Sequence, residues 1–564
     1  MTTFFKHCKN YIWIWLPLLT MVIVSCSPLM FLTEDDTMIN SVLADVAVSG
    51  SEYFNYTGLV LGWILRPLYI CCPGLNWYAI LSFICMTGSF GIFMWLLKKA
   101  EQESKREQRL LYSLGMGFCF ILQVYNLSHL TFTNVAFFTT LSGGMLFLSQ
   151  KPPYHKRNIF ISLFSVLWFA LGASFRGNAA KTVMVLLLVF VLIRLFETKV
   201  KLPLLFLVVS VLLLGWYTHL KTDYIPSDKT HPLYQYWLFD QTRRVTVDNI
   251  RIPYEDNKEL FEEIHISPRD LDMYYRWYFA DYNVFHPNTF GKVMQKLAAQ
   301  HTSDGADVGR AIKTMFTSVI NLAYMGFLLF VFLLGKKKNK WWLFFSCGCA
   351  GGMIFMLILR GRLLWRMQLA VMQLGLLLVL FTLLRGDNHL PSVVFPFKKK
   401  PWLQSACVAV VCLLAFGIIV VRNNGLIEQQ KAIQESYAPI KTYLQTESEN
   451  GKRFVSLAEH RVHFYYPEIS FIQKREKPYF VNVGEADVFH THWYHTLEQC
   501  GFSEFEDSIF RSLIDGEEIY AFTDQQWELE DVALFLERHY AEQVDWKIKE
   551  QIGNWYIVSF ERIK

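Results

Sequence analysis

The stretch AKTVMVLLLVFVLIRLFETKVKLPLLFLVVSVLLLGWYTHL, residues 180–220, decides the class of the molecule. Two apolar runs, each near the length that crosses a ~30 Å hydrocarbon core as a helix, flank a short basic break, RLFETKVK. A helix in lipid satisfies its own backbone, so such runs persist where a loop or open strand could not. Read this way, residues 180–196 and 202–219 are two successive spans joined on the inner face.

Working outward, runs of the same kind recur at 11–31, 76–97, 110–126, 130–149, 158–174, 312–335, 341–359, 363–384 and 403–421. The expectation is an all-α polytopic membrane protein with about eleven transmembrane helices. Composition agrees: 53% of the chain is apolar and only 18% charged, against roughly 25% charged in soluble domains. The run GLVLGWILRPLYICCP, 58–73, is apolar but short and is broken by Arg66 and Pro67. It reads as an interfacial or re-entrant helix.

Charge placement orients the helices. Segments such as KKAEQESKREQR (98–109), KPPYHKR (151–157) and KKKNK (336–340) fall on one side, whereas 32–57 and 127–129 hold no Lys or Arg. Basic residues stay on the cytoplasmic side, so the N-terminus is expected inside a bacterial cell membrane. The first helix is expected to remain uncleaved. The chain then divides into a membrane module, 1–421, with outer loops at 32–75 and 220–311, and a soluble extracytoplasmic domain, 422–564. In that domain KRFVSLA, PYFVNV, EEIYAFT and WYIVSFERI alternate with helical stretches such as ELEDVALFLERHYAEQ, which indicates an α/β fold. Most of the eleven cysteines lie inside apolar runs, so they form no disulfide framework. Nothing resembles a phosphate-cradling glycine loop, a dinucleotide fingerprint or a serine-nucleophile elbow, and no feature points to nucleic acid.

Charge near the outer face is where chemistry is to be sought. FLTEDDTMIN places Glu34, Asp35 and Asp36 directly after the first span. A partly buried carboxylate there can act as general base; equally, it can cap the helix that starts near Thr37. Two sets of cations break the charge rule on the outer side: Arg176 with Lys181, and Arg360, Arg362 and Arg366 in LILRGRLLWRMQ. A guanidinium suits a phosphate because its planar fork reaches two oxygens; the alternative is snorkelling to lipid headgroups. His129 at the outer end of the third span offers a sugar or metal ligand, or a packed core ring. Arg243, within FDQTRRVTVDN, offers a substrate contact or one member of a salt-bridge network.

The whole pattern resembles the GT-C class of membrane glycosyltransferases. The likeness lies in the many spans, the acidic pair Asp35-Asp36 after the first, the aromatic amphipathic segment YFNYTGLVLGWILRPLY before the second, and the outer C-terminal α/β domain. It implies an inverting transfer of a sugar from a polyprenyl-phosphate donor, in the membrane lipid, to a cell-envelope glycopolymer or glycolipid on the outer face. Asp35 or Asp36 would be the base. Arg176, Arg360, Arg362 and Arg366 would hold the phosphate, and Glu34, His129, Lys181 and Arg243 would line the substrate. No WWDYG-like signature is present, which speaks against protein N-glycosylation and leaves a divalent cation open. Two other functions use the same charges: a flippase or transporter of a lipid-linked saccharide, and a non-catalytic scaffold with a wall-binding tail.

Overall fold

The computed structural model describes residues 11–26, 29–31, 34–49, 52–103, 109–150, 156–198, 202–247, 251–301, 308–334, 340–359, 365–385, 401–457, 469–472, 477–484, 486–541 and 543–563. The chain opens with α1 (Ile12–Ser25), the two-residue β1 (Met30–Phe31), α2 (Glu34–Ser49) and α3 (Leu59–Cys71). The helical body continues with α4 (Trp77–Glu103), α5 (Arg109–Ser128), β2 (His129–Leu130), α6 (Phe132–Leu148), α7 (Lys156–Phe175), α8 (Gly177–Thr198) and α9 (Leu202–Asp223). Shorter helices of the long loop follow: α10 (Pro232–Thr246), α11 (Lys258–Glu263), α12 (Pro268–Tyr275) and α13 (Phe290–His301). The chain then returns to apolar helices α14 (Val308–Thr317), α15 (Val319–Leu334), α16 (Lys340–Leu359), α17 (Trp365–Arg385) and α18 (Pro401–Glu449).

Each of the eleven apolar runs falls on a helix, but the count of eleven spans is not confirmed. Among the described residues six helices are long and apolar enough to cross a membrane, or seven if the pair Ala311–Thr317 and Val319–Leu333, bent by 79°, is one span. Helices Ile12–Ser25, Phe132–Leu148 and Met367–Leu383 are apolar but shorter. Helix α6 is 17 residues long and every one of them is buried.

Helix α6 is the axis around which the rest is organised. Asp36 of α2 accepts a hydrogen bond from the Phe132 N–H at its N-terminus (2.6 Å). At its other end Arg194 of α8 donates to the carbonyls of Leu148 (2.7 Å) and Gln150. An anion at the N-terminus and a cation at the C-terminus each complement the helix dipole.

The C-terminal sheet has the order β4-β3-β5-β7-β6, with β3 (Arg453–Ser456), β4 (Val481–Asn482), β5 (Ile519–Thr523), β6 (Val544–Ile552) and β7 (Trp555–Arg562). Strands β3, β4 and β5 run parallel, whereas β7 is antiparallel to both its neighbours. Helices α19 (Thr491–Gln499), α20 (Ile509–Asp515) and α21 (Trp527–His539) complete it. The boundary expected at 421 is not a break, since α18 runs through it unbroken for 49 residues. Ile440 and Leu444 of α18 then pack under the sheet with Phe454, Phe522 and Trp555.

The long loop and this domain are interlocked. The N–H groups of Phe279 and Ala280 both donate to Val483 O, Tyr282 N–H donates to Asp507 O, and Ile509 N–H donates to Ala280 O. Gly484 lies so close that a Cβ there would sit 1.6 Å from the Trp277 carbonyl oxygen. Only glycine fits such an approach.

Candidate functional site

The site is assembled by the short pairing of β1 with β2, which sets Met30 beside His129 and Phe31 beside Leu130. Because α2 starts just after β1 and α6 just after β2, the first turns of both helices meet. Asp36 is fully buried there and accepts from the Tyr78 hydroxyl (2.8 Å) as well as from Phe132 N–H. Asp35, one residue earlier, is half-buried. Asp36 thus caps a helix that starts nearly a hundred residues further along the chain.

Arg176 reaches the same turn from the junction of α7 and α8. Its guanidinium donates to the Thr133 hydroxyl and lies 4.8 Å from the centre of the Phe132 ring. The neighbouring Ser174 carbonyl accepts from Gly58 N–H (2.7 Å), which ties this junction to the first loop. Carboxylate and guanidinium therefore bracket one residue, Phe132, from opposite sides of the chain.

The loop that covers this turn is held from two directions. Glu52 pairs with Arg66 of α3 and accepts from the Tyr224 hydroxyl (2.7 Å). Lys221 donates to the carbonyls of Phe54 (3.2 Å), Asn55 (2.8 Å) and Thr57 (2.8 Å). Arg66, which interrupts an apolar run in sequence, has its reason in Glu52.

The C-terminal domain closes over the same loop. His490 Nε2 bonds to Tyr53 O (2.7 Å), while its Nδ1 accepts from His492 N–H (3.0 Å) and so caps α19. That pattern requires the neutral Nε2–H tautomer. Burial pulls the His490 imidazole down to about 4, against the raising effect of the Tyr53 carbonyl. Next to it, Asp45 of α2 bonds to Nδ1 of both His492 (2.9 Å) and His495 (3.0 Å). Burial would raise the Asp45 carboxyl, but the two imidazoles outweigh it and hold it below its ordinary value.

The remaining expected residues sort as follows. Arg243, expected to touch substrate, is fully enclosed: it pairs with Asp240 (2.8 Å), bonds Tyr56 OH (3.1 Å) and lies 4.8 Å from the Trp277 ring. It has no exposed surface and shares Asp240 with Arg244 (2.7 Å), so it holds the loop together. His129, expected at a sugar or metal, is buried, donates from Nδ1 to Tyr125 O (3.0 Å) and stacks on the Tyr125 ring. Lys181 is exposed and faces α9 rather than the first turn of α6. Arg360 and Arg362 lie outside the described residues; Glu34 and Arg366 lie in α2 and α17, their side chains outside the description. Among the described residues no group of three or more His, Cys, Asp or Glu side chains has an arrangement that could hold a metal ion.

The histidines of FHTHWYHT (489–496) and Asp45 are the functional candidates that sequence reasoning passed over. Three histidines within six residues were a signal, but their partner stands some 450 positions earlier in the chain. Comparison with family models, curated proteins and solved structures finds no match.

Proposed function

We propose that the protein is a membrane glycosyltransferase that moves a sugar from a polyprenyl-phosphate donor to a cell-envelope glycopolymer or glycolipid. One observation carries this reading. Asp36 and Arg176, 140 positions apart, meet at the first turn of α6, with Asp35 next to Asp36 in α2, beneath the loop to which the α/β domain is bonded. A base and a guanidinium at one half-buried site answer the two needs of inverting transfer. The acceptor hydroxyl must lose its proton as its oxygen attacks the anomeric carbon. The departing phosphate oxygen must have its growing negative charge met.

The two aspartates divide the work. Asp36 already accepts two hydrogen bonds on Oδ1 and caps a buried helix, contacts that favour its charged form and that protonation would weaken; it is a positioning residue. Asp35, half-buried and one residue before it in α2, takes the proton. Arg176 binds the phosphate oxygens.

The test uses the full chain in nanodiscs with a polyprenyl-phosphate sugar labelled on the sugar. Asp35→Asn is expected to abolish transfer while leaving donor retention as in the parent protein. Arg176→Gln is expected to weaken retention itself. Unchanged transfer in both variants defeats the reading; movement of the lipid-linked sugar across the bilayer of sealed proteoliposomes, with no transfer by the parent protein, makes it a transporter.

A further inference from the structure

A second feature lies on the helical hairpin and does not depend on the proposed transfer. An open groove of about 690 Å³ runs between α8 and α9, lined by Lys181, Met184, Val211, Leu214, Gly215, Thr218, His219 and Thr222. The α9 members follow a spacing of three and four residues, so they form one continuous stripe along the helix. The stripe changes character along its length: Val211, Leu214 and Gly215 are apolar, whereas Thr218, His219 and Thr222 are polar. From Val211 to Thr222 it rises about 16 Å, half the ~30 Å hydrocarbon core and so the depth of a single leaflet.

The charge at the polar end is specific. His219 Nδ1 lies 2.7 Å from Asp223 Oδ2, so these two groups answer each other. Lys181 is exposed at the same end, and among the described residues no hydrogen bond or ion pair engages it. The floor is open as well: a Cβ at Gly215 would meet nothing within 4 Å.

We infer that this groove is a binding site for an acidic phospholipid of the surrounding leaflet. One acyl chain lies along Met184, Val211, Leu214 and Gly215, and the phosphate sits against the Lys181 ammonium with the threonine hydroxyls beside it. A groove that is apolar over about 6 Å from Val211 to Gly215 and polar beyond, with Lys181 unpaired among the described residues at its polar end, fits the upper part of a hydrocarbon chain carrying an anionic head.

The full chain is purified from membranes of equal parts phosphatidylglycerol and phosphatidylcholine, and the retained lipid is identified by native mass spectrometry. The parent protein is expected to keep phosphatidylglycerol. Lys181→Gln should lower the acidic-to-zwitterionic ratio about fivefold, the factor one basic residue contributes near a lipid surface. Gly215→Leu fills the trench without a backbone clash and should expel the lipid while the helices stay folded. Excess inorganic phosphate should not displace it. The inference is overturned if the parent protein retains no lipid, if it retains polyprenyl phosphate instead, if free phosphate competes, or if both variants hold lipid as the parent does. A failed transfer assay leaves each of these outcomes readable.

Discussion

Two arginines that look alike in sequence behave as opposites in the structure. Arg243 and Arg176 both stand at the domain-bearing end of the helices, next to aromatic residues. Arg243 is fully enclosed, pairs with Asp240 and lies near Tyr56 and Trp277. Arg176 is half-buried, on the face of Phe132 and beside the Thr133 hydroxyl, at the turn that also receives Asp36. The first belongs to a seam between the long loop and the C-terminal domain, where charge is neutralised internally. The second belongs to a turn where charges from distant segments are gathered but stay within reach of solvent. Arg243 finds its carboxylate three residues away on its own helix, whereas Arg176 and Asp36 reach one turn from different helices.

Substitution at the seam should cost the most. Asp240→Ala leaves Arg243 buried without its carboxylate and is expected to destabilise by about 3–5 kcal/mol, seen as a large drop in thermal midpoint. Replacing both, Asp240→Leu with Arg243→Met, should recover most of that loss. If the single change is silent, the seam is not closed as described.

The seam also holds two titrating groups of opposite sign. His490 has a folded value near 4, below its ordinary 6.5, because it is buried neutral. Between those values the unfolded chain binds the proton first, so this contribution to stability is full above pH 6.5 and lost as pH falls toward 4. Asp281 goes the other way. Burial pushes its carboxyl up to about 6, against hydrogen bonds from Ser508, Tyr540 and Val284 N–H. Its contribution is full below pH 3.8 and lost as pH rises toward 6. Each shift corresponds to roughly 3 kcal/mol, so the two nearly cancel in the parent protein. His490→Gln should therefore expose a stability that falls from pH 4 to 6, and Asp281→Asn one that rises. Flat profiles in both variants would contradict these environments.

A smaller effect is expected at Gly484. The added methyl of Gly484→Ala must displace the Trp277 carbonyl, at about 1–3 kcal/mol. The smallest change in stability belongs to Arg176→Gln, about 1 kcal/mol, because one hydrogen bond and one ring contact are lost. Its transfer activity should nonetheless fall about a hundredfold or more, as expected for a donor aimed at developing charge. Thermal melts and transfer rates measured together on these variants sharpen the contrast.

Much of this was legible in the sequence, for identifiable reasons. Apolar runs located the helices, and the period-two runs at 452–458, 517–523 and 555–563 coincide with β3, β5 and β7. Strand β6, VDWKIKEQI, was missed because it is an edge strand whose residues are mostly exposed and charged. The boundary at 421 was placed where composition changes, but helix formation continues through Arg422 because polar and apolar residues share it equally well. At the site, charge out of place picked out Asp35, Asp36 and Arg176. It gave no means of separating them from Arg243, since burial and pairing are properties of the fold. Asp45 with His492 and His495 escaped notice because the contact joins opposite ends of the chain.

The account stands on Asp35 doing chemistry beside Asp36, which caps α6. Mass spectrometry of envelope glycans and glycolipids tests this directly, in cells that produce the parent protein, cells that produce Asp35→Asn at the same membrane level, and cells without either. The expected result is one sugar decoration present with the parent protein and missing equally from the other two. Identical profiles in all three, or an Asp35→Asn profile matching the parent protein, would contradict it.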